Sequence, residues 1–181
     1  MKEFCPNSIE EWRNWLEKNH LKEERVLLIK YKKHTGKFSM NNLDSMKHAI
    51  CFGWIDTTVK RIDEERYAQT FAKRNKNSKW SINTLSYGKE LLKNGLMSEH
   101  GIRMYKEGLL KKPHDADIPK NPEMPIELKK ELVKNKIAKE KFEKLAPSIK
   151  RMYFRMILKG KRPETKEKTI KKLIDSLGHK A

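Results

Sequence analysis

The stretch Cys51-Phe52-Gly53-Trp54-Ile55-Asp56 opens the part of the sequence that decides the fold. It leads into two extended runs, 54–62 and 66–72, which are joined by the acidic residues Asp63-Glu64-Glu65. Two alternating runs around a short polar connection are typical of a β-hairpin. The sequence therefore predicts an antiparallel hairpin over residues 54–72.

Helices and one more strand are predicted around this hairpin. Ser8 to Glu11 form a capping box for a helix over residues 8–19, and the β-branched and aromatic run 26–33 is typical of a strand. A helix over 43–52 ends at Gly53, which adopts the left-handed conformation common beyond helix ends. Two further helices are predicted at 81–95 and 98–109. This order favours an α+β fold with a small antiparallel sheet of about three strands flanked by helices.

The chain changes character after residue 112. Four of its seven prolines lie close together, at Pro113, Pro119, Pro122 and Pro125. Such a stretch without apolar periodicity indicates a semi-rigid linker. We therefore predict an α+β domain at 1–112, a Pro-rich linker at 113–125 and a helical C-terminal module at 126–181. We expect this module to pack on the first domain, because a few amphipathic helices bury little surface alone.

Apolar periodicity predicts four helices in the C-terminal module, at 126–134, 136–145, 148–159 and 163–177. We expect the apolar stripes of the last two helices to face each other across a turn at Gly160. The first stripe contains Ile149, Met152, Tyr153, Met156 and Ile157, and the second contains Ile170, Leu173, Ile174 and Leu177.

The composition is strongly basic, with 42 Lys and Arg against 24 Asp and Glu, a net charge of +18. Such a charge attracts polyanions. Only nine of the basic residues are Arg, however, and Lys lacks the planar fork that recognises phosphate bidentately. Lysines that fill solvent-facing helix surfaces are therefore the alternative interpretation. If nucleic acid binds, the candidate contacts are Lys166, Lys168, Lys171 and Lys172.

The cysteine count and the hydropathy pattern indicate the compartment. Two cysteines, Cys5 and Cys51, make no disulfide framework. The N-terminus has no apolar signal core, and the longest apolar run, 26–29, is far too short to cross a bilayer. We expect a cytoplasmic protein without a transmembrane segment.

The hairpin and the residues after it supply the candidate ligand site. Aromatic faces next to guanidinium groups can hold an anionic or planar ligand. The alternative is structural: Trp80 seals a core, and Asp56 holds the hairpin through an ion pair with Arg61, while Arg74 stays exposed to the cleft. The candidate residues are Trp54, Asp56, Arg61, Tyr67, Arg74 and Trp80.

No catalytic or metal-binding pattern is evident. Cys51 and His48 lie three residues apart on one helix, but the carboxyl end of a helix disfavours a thiolate, which indicates an inert thiol. A Gly-rich phosphate loop, an HExxH motif and a CxxC pair are all absent from the sequence, and its histidines are isolated. We therefore expect no metal and no cofactor, and the sequence favours a protein that is not an enzyme.

Several motifs carry a resemblance to a known family. They are Cys-Phe-Gly-Trp-Ile-Asp at 51–56, Tyr67 with Phe71 and Arg74, Trp80-Ser81, Pro147-Ser148 with Arg151 and Tyr153, and Arg162-Pro163-Glu164-Thr165. On these motifs the chain resembles the YdeI/OmdA family, also called OmpD-associated or bacteriocin-protection proteins. It departs from the family pattern at Lys73, where Pro is frequent, and at Ile82-Asn83, where basic residues are frequent. The resemblance implies a cytoplasmic protein linked to tolerance of bacteriocins or cationic peptides.

Charge limits how such a protein acts. A protein with a charge of +18 repels cationic peptides, so protection by direct sequestration is unfavourable. We therefore expect a ligand- or partner-binding stress protein that acts indirectly. Its partner would be an anionic or planar small molecule, or another protein. The alternatives are a non-specific nucleic-acid-binding protein and, third, an enzyme of unrecognised type.

Overall fold

The computed structural model describes residues 1–178, and the chain divides into two compact units, Met1–His114 and Asp115–Ala181. The first unit combines a sheet with four α-helices, and the described part of the second is helical, which confirms the α+β class. The elements of the first unit are β1 (Lys2–Phe4), α1 (Ile9–Asn19), β2 (Arg25–Tyr31), α2 (Asn42–Cys51), β3 (Trp54–Arg61), β4 (Arg66–Lys73), α3 (Ile82–Lys93) and α4 (Glu99–Leu109).

The sheet has four strands in the order β1-β2-β4-β3. The three predicted strands β2, β4 and β3 are present and pair antiparallel. The prediction omitted β1, which pairs in parallel with residues 26–28 of β2. A strand of three residues is too short to show a hydrophobic period, so the sequence gives no signal for it.

The predicted hairpin is confirmed, and its turn is fixed by Asp63. The Asp63 carboxylate accepts hydrogen bonds from the backbone N–H groups of Glu65 and Arg66, at 2.9 and 2.6 Å. Such hydrogen bonds from a side chain satisfy backbone groups that have no backbone partner in a turn. The two strands then pair from Arg61 opposite Tyr67 to Trp54 opposite Lys73, with a β-bulge between Asp56 and Thr58.

Helices α1 and α2 cover one face of the sheet through an aromatic core. The indoles of Trp12 and Trp54 are fully buried there, and Trp12 packs on Phe71 with 5.2 Å between ring centroids. The chain passes from α2 into β3 through Gly53, whose φ of 73° lies in the left-handed region that favours glycine. The predicted helix end is therefore confirmed, and it places Trp54 at the start of the sheet.

Helices α3 and α4 enclose a smaller core around Trp80, which also contains Met104 and Tyr105. The indole lies directly against the backbone of α4 at Gly108, where an added Cβ would come within 2.4 Å of the ring. Trp80 therefore has the structural environment that the sequence offered as one of two alternatives.

The second unit contains the four predicted helices. They are α5 (Ile126–Lys134), α6 (Lys136–Glu143), α7 (Pro147–Lys159) and α8 (Pro163–Gly178). Leu128 and Leu132 of α5, Phe142 of α6, Ile157 of α7 and Ile170 of α8 meet in one core.

The predicted stripe on α7 is wrong in part. Ile149, Met152 and Met156 are exposed, whereas Tyr153 and Ile157 pack on the core together with Phe154, which the prediction omitted. The core-facing side of α7 is therefore rotated relative to the predicted stripe.

The Pro-rich stretch is anchored to α7. Arg155 donates hydrogen bonds to the carbonyl oxygens of Ile118 and Pro119, at 3.3 and 2.5 Å, and lies 3.6 Å from the carboxylate of the buried Asp115. Arg151 donates a further hydrogen bond to Asn121 at 3.1 Å. Residues 115–121 thus belong to the second unit.

Candidate functional site

The structure does not gather the six candidate residues, on the hairpin and after it, into one open cleft. Trp54 lies in the main core, and its indole N–H donates a hydrogen bond to the carbonyl of His20 at 3.1 Å. Trp80 lies in the separate core of α3 and α4. Arg61 is exposed at the far end of the hairpin, next to the half-buried Tyr67.

The predicted ion pair between Asp56 and Arg61 is wrong. Five residues of extended strand separate them, roughly 16 Å, which is beyond the reach of a salt bridge. Arg61 instead pairs with Glu64 and donates a hydrogen bond to the carbonyl of Asp63 at 3.2 Å. Asp56 accepts a hydrogen bond from the side-chain amide of Gln69 at 3.4 Å.

Arg74 is buried rather than exposed to a cleft, with only 4% of its surface accessible. Its guanidinium lies over the ring of Trp80, 3.6 Å from the centroid, and donates a hydrogen bond to the carbonyl of Lys79 at 3.0 Å. Burial lowers the pKa of Arg74 to about 10, partly offset by the carboxylate of Asp56. Its Nε has no hydrogen-bond acceptor within the described part of the chain.

A buried lysine that the sequence interpretation missed lies near the same carboxylate. Lys30 of β2 is 2% exposed, and its ammonium donates hydrogen bonds to Gln69 at 2.6 Å, Ser45 at 2.7 Å and Asn42 at 3.1 Å. Gln69 in turn bonds Asp56. These bonds connect β2, β4, β3 and α2, and we call Lys30, Ser45, Gln69 and Asp56 the polar network.

Burial dominates the electrostatics of this polar network. It lowers the pKa of Lys30 to about 8, although Asp56 and Asp44 act in the opposite direction. The sequence did contain a signal: Lys30 follows Val26 and Leu28 at the alternate positions of a strand, so the pattern places it on the core-facing side.

The first unit shows no reactive pair. Burial raises the pKa of the Cys51 thiol, which disfavours the thiolate, and burial lowers the pKa of His48. Lys30 and Gln69 are closed off from solvent, so a substrate does not reach them in this conformation. Among residues 1–178, no cluster of His, Cys, Asp and Glu is suited to hold a metal ion.

The second unit carries a large open groove between α5 and α8, with a volume of about 1240 Å³. Ile126 and Val133 of α5 line it although they are 65% and 70% exposed, and Ile170 and Ile174 of α8 complete its apolar floor. Charged side chains form its rims: Glu127, Lys129, Lys130, Glu131 and Lys134 on α5, and Glu164, Glu167, Lys168 and Lys171 on α8. We call this feature the α5–α8 groove.

The four candidate nucleic-acid-binding lysines do not all line the groove. Lys168 and Lys171 line the α5–α8 groove, whereas Lys166 forms a salt bridge with Glu127 at 3.3 Å. Lys172 is exposed on α8 and does not line the groove. None of the described helices has the length and apolar composition that a membrane span requires.

Two family models match the chain. Residues 4–104, more than half of the chain, match a domain of unknown function (DUF8412). Residues 121–179 match the family described as Bacteriocin-protection, YdeI or OmpD-Associated, which confirms the suspected resemblance over this segment. The motif at 51–56 and the pair Trp80-Ser81 lie within the first match. No curated protein and no solved structure matches the chain.

Proposed function

We propose that this chain, which belongs to the DUF8412 family by the match over residues 4–104, is a binding protein that contributes to bacteriocin tolerance. One observation carries the proposal. The α5–α8 groove, in which Ile126 and Val133 are exposed, lies within the segment that matches the bacteriocin-protection family. Exposed apolar side chains in a groove between two helices are typical of interaction sites.

We locate binding in this groove and not at the hairpin for a physical reason. Trp54, Arg74 and Trp80 are buried, so their aromatic and guanidinium groups have no free face for a ligand. Ile126 and Val133, in contrast, expose most of their surface, and covering them releases free energy through the hydrophobic effect.

The proposed action is indirect and takes place in the cytoplasm. A protein with 18 excess positive charges repels a cationic bacteriocin, so the bound partner is a different molecule. The first unit offers no exposed nucleophile paired with a base, and we therefore propose binding without catalysis.

Bacteriocin survival in a strain that lacks the gene tests this function. Complementation with the wild type should restore survival, and complementation with Val133→Asp should not, because a carboxylate in the floor opposes apolar contact. The matched control is Ile137→Asp, which changes an exposed residue of the same unit outside the groove. Equal survival with and without the gene would refute the function. Full rescue by Val133→Asp would refute the location of binding in the groove.

A second candidate function is binding of nucleic acid, which the exposed Lys168, Lys171 and Lys172 favour. Contacts with phosphate would give a log–log salt dependence of roughly −0.9 per phosphate on duplex DNA. Changing these lysines to Gln should flatten that slope. DNA binding that ignores both salt and these changes would rule out the charge-based candidate.

A further inference from the structure

We propose that the α5–α8 groove binds an amphipathic helix of a partner protein, with acidic residues beside the helix's apolar face on the side that lies along α5. This inference rests on the proposed binding function and names its class of partner.

The groove is larger than a metabolite needs. Typical small-molecule sites have volumes of about 300–1000 Å³, and this groove has about 1240 Å³. Its lining on α8 extends from Glu164 to Ile174, which at the helical rise of about 1.5 Å per residue is roughly 15 Å. That length accepts about three turns of a helix.

The walls favour a helix over a strand. Both walls, α5 and α8, are helices, and the described part of the second unit contains no strand edge that could pair with an extended peptide. Ile126 with Val133 and Ile170 with Ile174 are spaced by seven and four residues, as on one helix face. A helix that lays apolar residues of matching spacing into such a groove is a common recognition mode.

The charges on the α5 rim indicate which charge the partner carries. Both carboxylates of that rim are neutralised: Glu131 pairs with Lys134 at 2.6 Å, and Glu127 pairs with Lys166 at 3.3 Å. Lys130 of the same rim also helps to lower the pKa of Glu127, and Lys129 forms no salt bridge within residues 1–178, so this side of the groove keeps an excess of positive charge. An acidic flank along α5 would satisfy this excess, since charge complementarity directs docking and register.

The α8 rim does not share this excess. It carries two carboxylates, Glu164 and Glu167, beside two ammonium groups, Lys168 and Lys171. The flank of the partner that lies along α8 therefore needs no net charge. This asymmetry orients the bound helix, and it makes Lys129 and Lys130 more important for acidic peptides than Lys168.

A second copy of this chain is a weaker occupant, because two molecules that each carry a charge of +18 repel one another. Nucleic acid would pair its phosphates with the lysines, but it would make no apolar contact with the floor of the groove. Both occupants make predictions that differ from those of an acidic helix, so one set of measurements separates them.

Fluorescence anisotropy with two labelled model peptides tests the proposal on the full chain. Each peptide has about 16 residues and the same leucine face with helical spacing, flanked by Glu in one and by Lys in the other. The Glu peptide should bind, and added salt should weaken it. The Lys peptide should bind at least about tenfold more weakly, because its flank repels Lys129 and Lys130. Equal binding of the two peptides, or absence of binding by the Glu peptide, would overturn the proposal.

Variants locate the binding. Val133→Glu should weaken the Glu peptide by at least about tenfold through the lost apolar contact. The double change Lys129→Glu with Lys130→Glu should do the same through charge. Lys172→Glu is the matched control on α8 outside the groove and should change little. If Lys172→Glu weakened peptide binding as much as these variants, the effect would be a general effect of charge, and no helix would be bound in the groove.

Two further outcomes would also overturn the inference. A dimer in size-exclusion chromatography that Val133→Glu dissociates would make a second copy the occupant. Duplex DNA that competes with the peptide, and whose binding depends on the lysines but not on Val133, would make the surface a polyanion site.

If Val133→Asp abolishes bacteriocin survival while the Glu peptide does not bind, the proposed function stands and this inference fails. If the peptide binds but loss of the gene does not change bacteriocin survival, the proposed function fails alone.

Discussion

Lys30 holds a positive charge in an almost fully buried position, and its titration should change the free energy of unfolding by a measurable amount. Its ammonium bonds three neutral oxygens, and Asp56 reaches it only through Gln69. Burial lowers its pKa from an ordinary value of 10.5 to about 8. The unfolded chain exposes Lys30 to water, so between these two pH values the unfolded state binds more protons than the folded state. Stability should therefore rise with pH across this window.

The size of the effect follows from the two pKa values. Between about pH 7.5 and pH 9.5, Lys30 alone should add about 2 kcal/mol to the free energy of unfolding. Other groups titrate in the same range, so the informative quantity is the difference between the wild type and Lys30→Met. Methionine keeps an unbranched apolar side chain and removes the charge. We expect this difference to move by about 2 kcal/mol in favour of the wild type as the pH rises.

Urea denaturation in reducing buffer at the two pH values measures this difference. Lys60→Met is the matched control, because it makes the same substitution at an exposed position of the same sheet. If the wild type and Lys30→Met respond to pH in parallel, Lys30 is solvated, and the buried polar network described above is incorrect.

Other expected outcomes concern the two cores and the buried titratable groups. Trp80→Ala should lower the free energy of unfolding by about 3–5 kcal/mol in chemical denaturation, because the indole is buried; a fully stable variant would contradict the structural role. Burial lowers the pKa of His48, so the unfolded chain binds the proton more readily, and stability should fall as the pH drops below about 6.5. Urea titrations of His48→Gln should show a smaller loss of unfolding free energy over this pH range than the wild type shows. An equal loss would contradict the assignment of this effect to His48. Since burial raises the pKa of Cys51 whereas Cys5 is exposed, a thiol reagent should modify Cys5 at once and Cys51 only on unfolding.

Features that depend on local chemistry were predictable from the sequence. Ser8, Ser81 and Ser98 cap the predicted helices, each accepting a hydrogen bond from a backbone N–H three residues later. Gly53 ends α2, and Asp63 closes the hairpin. Each of these signals acts over a few residues, so the sequence contains the whole interaction.

Features that depend on distance between elements were not predictable in the same way. Asp56 and Arg61 share the same strand, but the length of the strand separates them, and the partner of Asp56 is Gln69 on the neighbouring strand. On α7, Phe154 and Ile157 pack on the core whereas Met152 and Met156 of the predicted stripe are exposed. A helix with apolar residues on several sides does not reveal from sequence which side meets its neighbours.

The buried network and the open groove should respond to different substitutions, and this separates stability from binding. Lys30, Gln69 and Ser45 are buried, so their bonds fix α2 on the sheet but cannot touch a partner. Val133 is mostly exposed and contributes little to the core of its own unit, so it is free to serve binding. Lys30→Met should therefore change the pH dependence of unfolding without weakening the Glu-flanked peptide, and Val133→Glu should do the reverse. A variant of either residue that changed both quantities would contradict this separation of stability from binding.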